Sequence, residues 1–391
     1  MNPVTSPEKQ AKSSSGVQNP LLALQKFGQS VWLDYIRRDL ITSGELKRLI
    51  DEDGLRGITS NPSIFEKAIA GSTDYADFLD QLRAQGLSSG DIYERIAIRD
   101  IQDSADMLLP VYKSTNKRDG YVSLEVSPTL ARDTQGTIAE ARRLWKAVAR
   151  PNIMIKVPGT PEGAPAVRQL ISEGINVNIT LLFAQEAYVK VAEAHIEGLE
   201  AAQKAGKDIS GIASVASFFV SRIDTLVDSI IDERLKTATP PSQDQELLRS
   251  LHGKVAIANA KQAYRRYQHM IAGERWKSLA AHGAQMQRLL WASTSTKNPK
   301  YRDVLYIEEL IGPDTVNTIP PATMDAFRDH GTVRRTLDAD VAAADKTMAD
   351  LERAGISMQK VTDQLLEDAI KLFADAFQKL LSVVEQKKRN Q

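Results

Sequence analysis

Short apolar runs return eight times along this chain, and longer segments with helical spacing separate them. The runs are SVWLDY (30–35), LRGITSN (55–61), YVSLEVS (121–127), NIMIKVPG (152–159), INVNITLL (175–182), ISGIASVASF (209–218), QRLLWAST (287–294) and DTVNTIP (314–320). Most are near-continuous apolar stretches, as strands covered on both faces require. Between them, GAPAVRQLISEG (163–174) and FAQEAYVKVAEAHIEGLEAAQKAG (183–206) place apolar residues at helical spacing and close on glycine. The segment 247–270 reads as a further helix. About sixty residues part the second run from the third, room for two or three helices. Strand and helix alternation implies parallel βα units, and eight such units predict a closed (β/α)8 TIM barrel rather than an open sheet.

Additional helices are expected at both ends. The first twenty residues, rich in Ser, Pro, Lys and Gln, lack the apolar stretch of a signal peptide and are expected to form a disordered tail. Residues 21–391 show no linker and no internal repeat, so they are expected to form one domain that includes the C-terminal helices. Everything after Gly331 is expected to be helical. Leu366, Ile370, Phe373, Phe377, Leu380 and Val384 form one apolar stripe there, suited to packing across the barrel or to a dimer interface. Monomer and homodimer both stay open.

Composition narrows the chemistry. Lys plus Arg number 50 and Asp plus Glu number 50, a balance that argues against nucleic-acid binding. No run approaches the ~18 uninterrupted apolar residues of a membrane span. With no cysteine, the chain has no disulfide, thiolate nucleophile or zinc–thiolate site, which is compatible with a cytoplasmic location. No two of its five histidines lie within four residues of each other, so no metal pair of the usual spacing is present.

Polar residues within or just beyond the apolar runs carry the functional signal. The carboxyl ends of barrel strands converge on one face, where catalytic groups gather. Asp34, Asn61, Glu125, Ser217 and Ser293 stand near the ends of their runs, as does Ser214. Lys156 lies inside the fourth run, and Asn178 and Thr180 alternate in the fifth. A buried ammonium is costly unless it is paired or deprotonated. Burial pulls a lysine pKa down from its ordinary value near 10.4, toward the neutral amine that a Schiff-base nucleophile needs. The alternatives for Lys156 are a stem that snorkels to water and a structural ion pair with Glu125 or Asp34. Those carboxylates suit proton transfer, and equally suit capping of the following helices. Asn61, before Pro62, fits a strand end or a turn. Thr180, Asn178 and Ser217 could equally be barrel-interior residues that satisfy one another. Arg222, at the start of a helix after SFFVS, and Lys297, in STSTKNP, are candidates for a phosphate and otherwise surface cations.

Taken together, WLDYIRRDL, GITSNPSIFEKAI, VSLEVSPTLARDT, IMIKVPGTPEG, GINVNITLLF, ASVASFFVSRIDTLVD and LLWASTSTKNPKY resemble the transaldolases, class I Schiff-base aldolases of the pentose phosphate pathway, in their longer-chain branch. The resemblance runs from about Gln29 to Pro321. It implies a (β/α)8 barrel without metal or organic cofactor, acting on sugar phosphates. It implies that Lys156 is the Schiff-base lysine and Asp34 the acid–base residue at the donor's C4 hydroxyl. Glu125 and Thr180 would hold a catalytic water. Asn61 and Asn178 would hold the dihydroxyacetone moiety, with Ser217 and Phe219 beside it, and Arg222 would bind phosphate. Shorter relatives carry a second phosphate-binding arginine after the seventh strand. Here that loop, beginning at Ser293, has no arginine until Arg302, and Lys297 is the expected substitute. The activity implied is reversible transfer of a dihydroxyacetone unit from sedoheptulose 7-phosphate to glyceraldehyde 3-phosphate. A simple aldolase releasing free dihydroxyacetone and a non-catalytic sugar-phosphate-binding barrel are the competing expectations.

Overall fold

The computed structural model describes residues 19–83, 85–237 and 243–389. Eight parallel strands close on themselves in chain order. β1 (Gln29–Asp34) pairs with β2 (Gly57–Thr59), and β3 (Tyr121–Glu125), β4 (Ile153–Pro158) and β5 (Val177–Leu182) follow. β6 (Ser214–Phe219), β7 (Arg288–Ala292) and β8 (Thr315–Ile319) complete the ring, with β8 returning to β1. The (β/α)8 barrel expected from the sequence is thus present, each strand falling inside or within one residue of its apolar run. Every residue of β4, β5 and β6 is buried, as parallel strands covered on both faces are.

Three helices, Pro62–Ala70, Ala76–Arg83 and Ser89–Ser114, fill the long connection between β2 and β3. Gly163–Glu173 and Gln185–Lys204 are helical as the spacing predicts. The segment 247–270 is not one helix. It belongs to two, Gln243–Leu251 and Val255–Ala272. Between them Gly253 takes φ +66°, and the ring of Tyr301 lies where a Cβ would stand, 2.7 Å away. Asp228 and Asp224 accept the freed backbone N–H groups of Gly253 and Ala256. A break of this kind depends on distant partners, so helical spacing alone does not disclose it.

The chain after Gly331 is not helical throughout either. Residues 331–340 are irregular, and the helices Val341–Arg353 and Met358–Arg389 follow. The last helix lies against Pro62–Ala70 and Ser89–Ser114 at the carboxyl end of the barrel. Its buried stripe includes Phe373, Leu380 and Val384. Lys379 pairs with Glu66 at 3.0 Å, and Arg132 pairs with Glu367. At the other end of the chain, Asn19 and Pro20, expected in the tail, open a helix instead. Asn19 caps Pro20–Leu24 by accepting from the Leu21 N–H and donates to Asp53. The rest of the expected tail, 1–18, lies outside the described residues.

The amino end of the barrel is plugged by a buried polar cluster. Arg288 donates to Asp119 and to Ser30 Oγ, both at 2.9 Å, and Asp119 also accepts from Ser30 and from the indole of Trp32. The opposite end holds a cavity that the last helix borders.

Candidate active site

Strand register delivers the chemistry to one level. Glu125 on β3, Lys156 on β4 and Asn178 on β5 are Cα partners across neighbouring strands. Asp34 stands opposite Thr59 on the far side of the ring. Because parallel strands rise together, residues at equal heights meet although far apart in sequence. Lys156 is 5% exposed. Its Nζ donates to the carbonyl of Ser60 at 2.9 Å and stands 3.7 Å from Glu125 Oε2. Asp34 Oδ1 accepts from Thr59 Oγ1 at 2.7 Å, and the same hydroxyl meets Thr318 Oγ1.

Burial decides how these acids titrate. Glu125 is pushed up to about 7 by loss of water, with Asp34 adding to the rise and the Lys156 cation opposing it. Asp34 is raised for the same reason, against the pull of Lys156, the Thr59 hydroxyl and Lys297. Two carboxylates around one lysine, each held toward the protonated form, make a proton store beside an amine. Glu125 Oε2 and Thr180 Oγ1 are buried, and neither has a hydrogen-bond partner among the described residues. On β5 a bulge between Ile179 and Leu182 puts Leu181 at φ +64°, directly after Thr180.

Above the strand ends lies a cavity of about 640 Å³. Asp34, Asn61, Lys156, Thr180, Ser217 and Phe219 line its floor and wall. Arg222, Ser293 and Lys297 line the same cavity, as do Leu372 and Phe373 of the last helix. Arg222 opens the helix Ser221–Thr237, and its guanidinium carbon stands 5.4 Å from the Phe219 ring centroid. Burial lowers its pKa, and among the described residues no carboxylate counters that fall. Lys297 Nζ donates to Ser295 Oγ, and its pKa is lowered by partial burial and then by the cations Arg222 and Lys67. Ser293 follows β7 with φ +56°, and its hydroxyl meets that of Ser221 at 2.9 Å, tying the two cation-bearing segments together.

The sequence-predicted residues are not all placed alike. Asn178 lies beneath the cavity wall, fully buried, with Nδ2 donating to Ser123 Oγ and Oδ1 accepting from Ser217. Glu125 opens toward an adjoining small cavity under Phe373. Asn61 lies past the end of β2 and caps the helix Pro62–Ala70 through Oδ1, so its turn role and its place on the cavity wall coexist. Ser214 is at the wrong end, since it begins β6, and its hydroxyl donates to the Val177 carbonyl. Sequence reasoning missed Thr59, Lys67, Ser295 and Thr318. Thr59 was open to the alternation rule, two residues before Asn61 in the same run. Lys67 carried no local signal, because the cations it joins belong to other βα units. Among the described residues no group of three His, Asp or Glu side chains is disposed to hold a metal, and no helix is long and apolar enough to cross a membrane.

A sequence model of the family described as Transaldolase/Fructose-6-phosphate aldolase matches residues 31–384. The chain is 51% identical over 374 residues to the protein named Transaldolase in Trichodesmium erythraeum, covering 95% of this chain and 98% of that one. It is 52% identical over 372 residues to Transaldolase 2 of Nostoc punctiforme, covering 94% and 97%. Similarity to Transaldolase of Thiobacillus denitrificans reaches 46% identity over 361 residues, covering 92% and 98%.

Proposed function

The chain belongs to the transaldolase/fructose-6-phosphate aldolase family, and we propose that it moves a dihydroxyacetone unit between sugar phosphates through a Schiff base on Lys156. The donor is sedoheptulose 7-phosphate or fructose 6-phosphate, the acceptor an aldose phosphate, and the setting the non-oxidative pentose phosphate pathway in the cytoplasm. The single observation that carries this is a buried lysine between two carboxylates whose pKa values burial raises, beneath a cation-rimmed cavity. Residues 21–391 act as one domain.

The neutral amine of Lys156 adds to the ketose carbonyl at C2. Loss of water then gives an iminium, with Glu125 and the Thr180 hydroxyl handling the water and its protons. The iminium draws the electrons of the C3–C4 bond as Asp34 takes the proton from the C4 hydroxyl. An aldose phosphate leaves, and a three-carbon enamine stays bound to Lys156. Ser217, oriented by Asn178, and the amide of Asn61 hold its hydroxyls, so that the acceptor aldehyde arrives before hydrolysis. Phosphate sits among Arg222, Lys297 and the hydroxyls of Ser293 and Ser295.

Borohydride added with fructose 6-phosphate is expected to leave a mass adduct on the peptide containing Lys156, and Lys156→Ala to lower activity by roughly 10⁴–10⁶-fold. Lys156→Arg is expected to stay inactive, because a guanidinium keeps its proton. An adduct on another lysine, or none, removes the proposal.

A further inference from the structure

The cavity wall carries more positive charge than one phosphate dianion requires. Lys67, Lys156, Arg222 and Lys297 line it against a single carboxylate, Asp34. Lys156 faces the carbonyl end, which leaves three cations on three separate segments. Arg222 is half-buried over Phe219, and Lys297 is tethered to Ser295. Lys67 is exposed and has no side-chain partner among the described residues. Its neighbour Glu66 is turned away to pair with Lys379. Lys67 is close enough to Lys297 to depress its pKa by repulsion. Unneutralised like charges facing one cavity are unfavourable unless an anion joins them.

The proposed reaction itself sets a geometric problem. Lys156 fixes C2 of every donor, yet the donors carry their phosphates at different distances. In fructose 6-phosphate six bonds part C2 from phosphorus, and in sedoheptulose 7-phosphate seven do, an extended difference of roughly 1.3 Å. The half-buried Arg222 has less freedom to follow that displacement fully than an exposed four-carbon ammonium stem does. The helix Pro62–Ala70 brings Lys67 to the cavity wall. Asn61 caps it at the three-carbon end, and Lys67 projects six residues later, about 9 Å along the axis.

We propose that Lys67 is a specificity-determining residue that engages the more remote phosphate of the seven-carbon donor, while Arg222 and Lys297 serve the phosphates of both donors. This rests on the transaldolase reaction proposed above.

The test compares kcat/KM for sedoheptulose 7-phosphate and fructose 6-phosphate, each with its matching aldose phosphate acceptor. Lys67→Met is expected to lower the seven-carbon to six-carbon ratio about tenfold, through KM, as loss of one charge-assisted hydrogen bond implies. Lys67→Arg is expected to restore most of the ratio, and Arg222→Ala to raise KM for both donors. A ratio unchanged in Lys67→Met, or an equal loss with both donors, overturns the assignment. Wild-type protein that transfers from neither donor instead overturns the underlying reaction.

Discussion

At the scale of single residues, the site is governed by what burial does to charge. Glu125 ordinarily titrates near 4.5 and here near 7, because the barrel mouth withholds water from its ionised form. Its carboxylate therefore accumulates only as pH rises through about 7, and kcat/KM is expected to fall on the acid side of that value. Glu125→Gln is expected to lower kcat by about 10²–10⁴-fold and to erase that inflection from the pH–rate profile. The same shift reaches stability with a definite sign. Between 4.5 and about 7 the folded chain holds a proton that the unfolded chain has lost. Stability from this group thus decreases as pH rises across that window, and urea titrations of Glu125→Gln are expected to show a flatter dependence there. Asp34 shifts in the same direction, so the barrel withholds charge from both acids that flank the lysine.

Elements add what single residues cannot. The last helix, Met358–Arg389, lays Phe373 over the Lys156 cavity and over the small cavity beside Glu125. A three-carbon enamine survives between aldehydes only if water is kept from it, and Phe373 is placed to exclude water. Phe373→Ala is expected to raise free dihydroxyacetone release relative to transfer several-fold, measured in donor-alone assays against coupled transfer assays. An unchanged ratio would mean that the helix merely packs. The loop after β7 is set from outside the site too. Tyr301 and Tyr306 donate to Asp228 and Asp224 on the helix that carries Arg222, at 2.6 and 2.9 Å. Through those bonds the segments bearing Lys297 and Arg222 hold one geometry.

Across the whole molecule, the two barrel ends divide the labour. The carboxyl end collects chemistry, and the amino end is closed by the Arg288–Asp119 pair, in which both side chains are buried. Removing one partner strands the other charge without water. Arg288→Met is expected to cost about 3–5 kcal/mol of unfolding free energy in urea titrations, and the double change Arg288→Met with Asp119→Leu to cost less than the single one. Activity per folded molecule is expected to survive in both, because this cluster lies at the end of the barrel away from Lys156.

Much of this protein is legible in one dimension. The eight βα units, and with them a closed barrel, follow from a local rhythm, because burial on both faces demands apolar runs and wrapping helices demand amphipathic ones. Lys156 is legible for the same reason, as a charge that the rhythm does not tolerate without cause. The break at Gly253, the descent of Asn178 below the cavity wall and the recruitment of Thr59 and Lys67 are not. Each depends on strand register or on contacts between segments tens to hundreds of residues apart, and such contacts leave no periodic trace in either partner alone. Composition and spacing state which groups the chain can bring to a barrel mouth, and closure of the sheet decides which of them face one another.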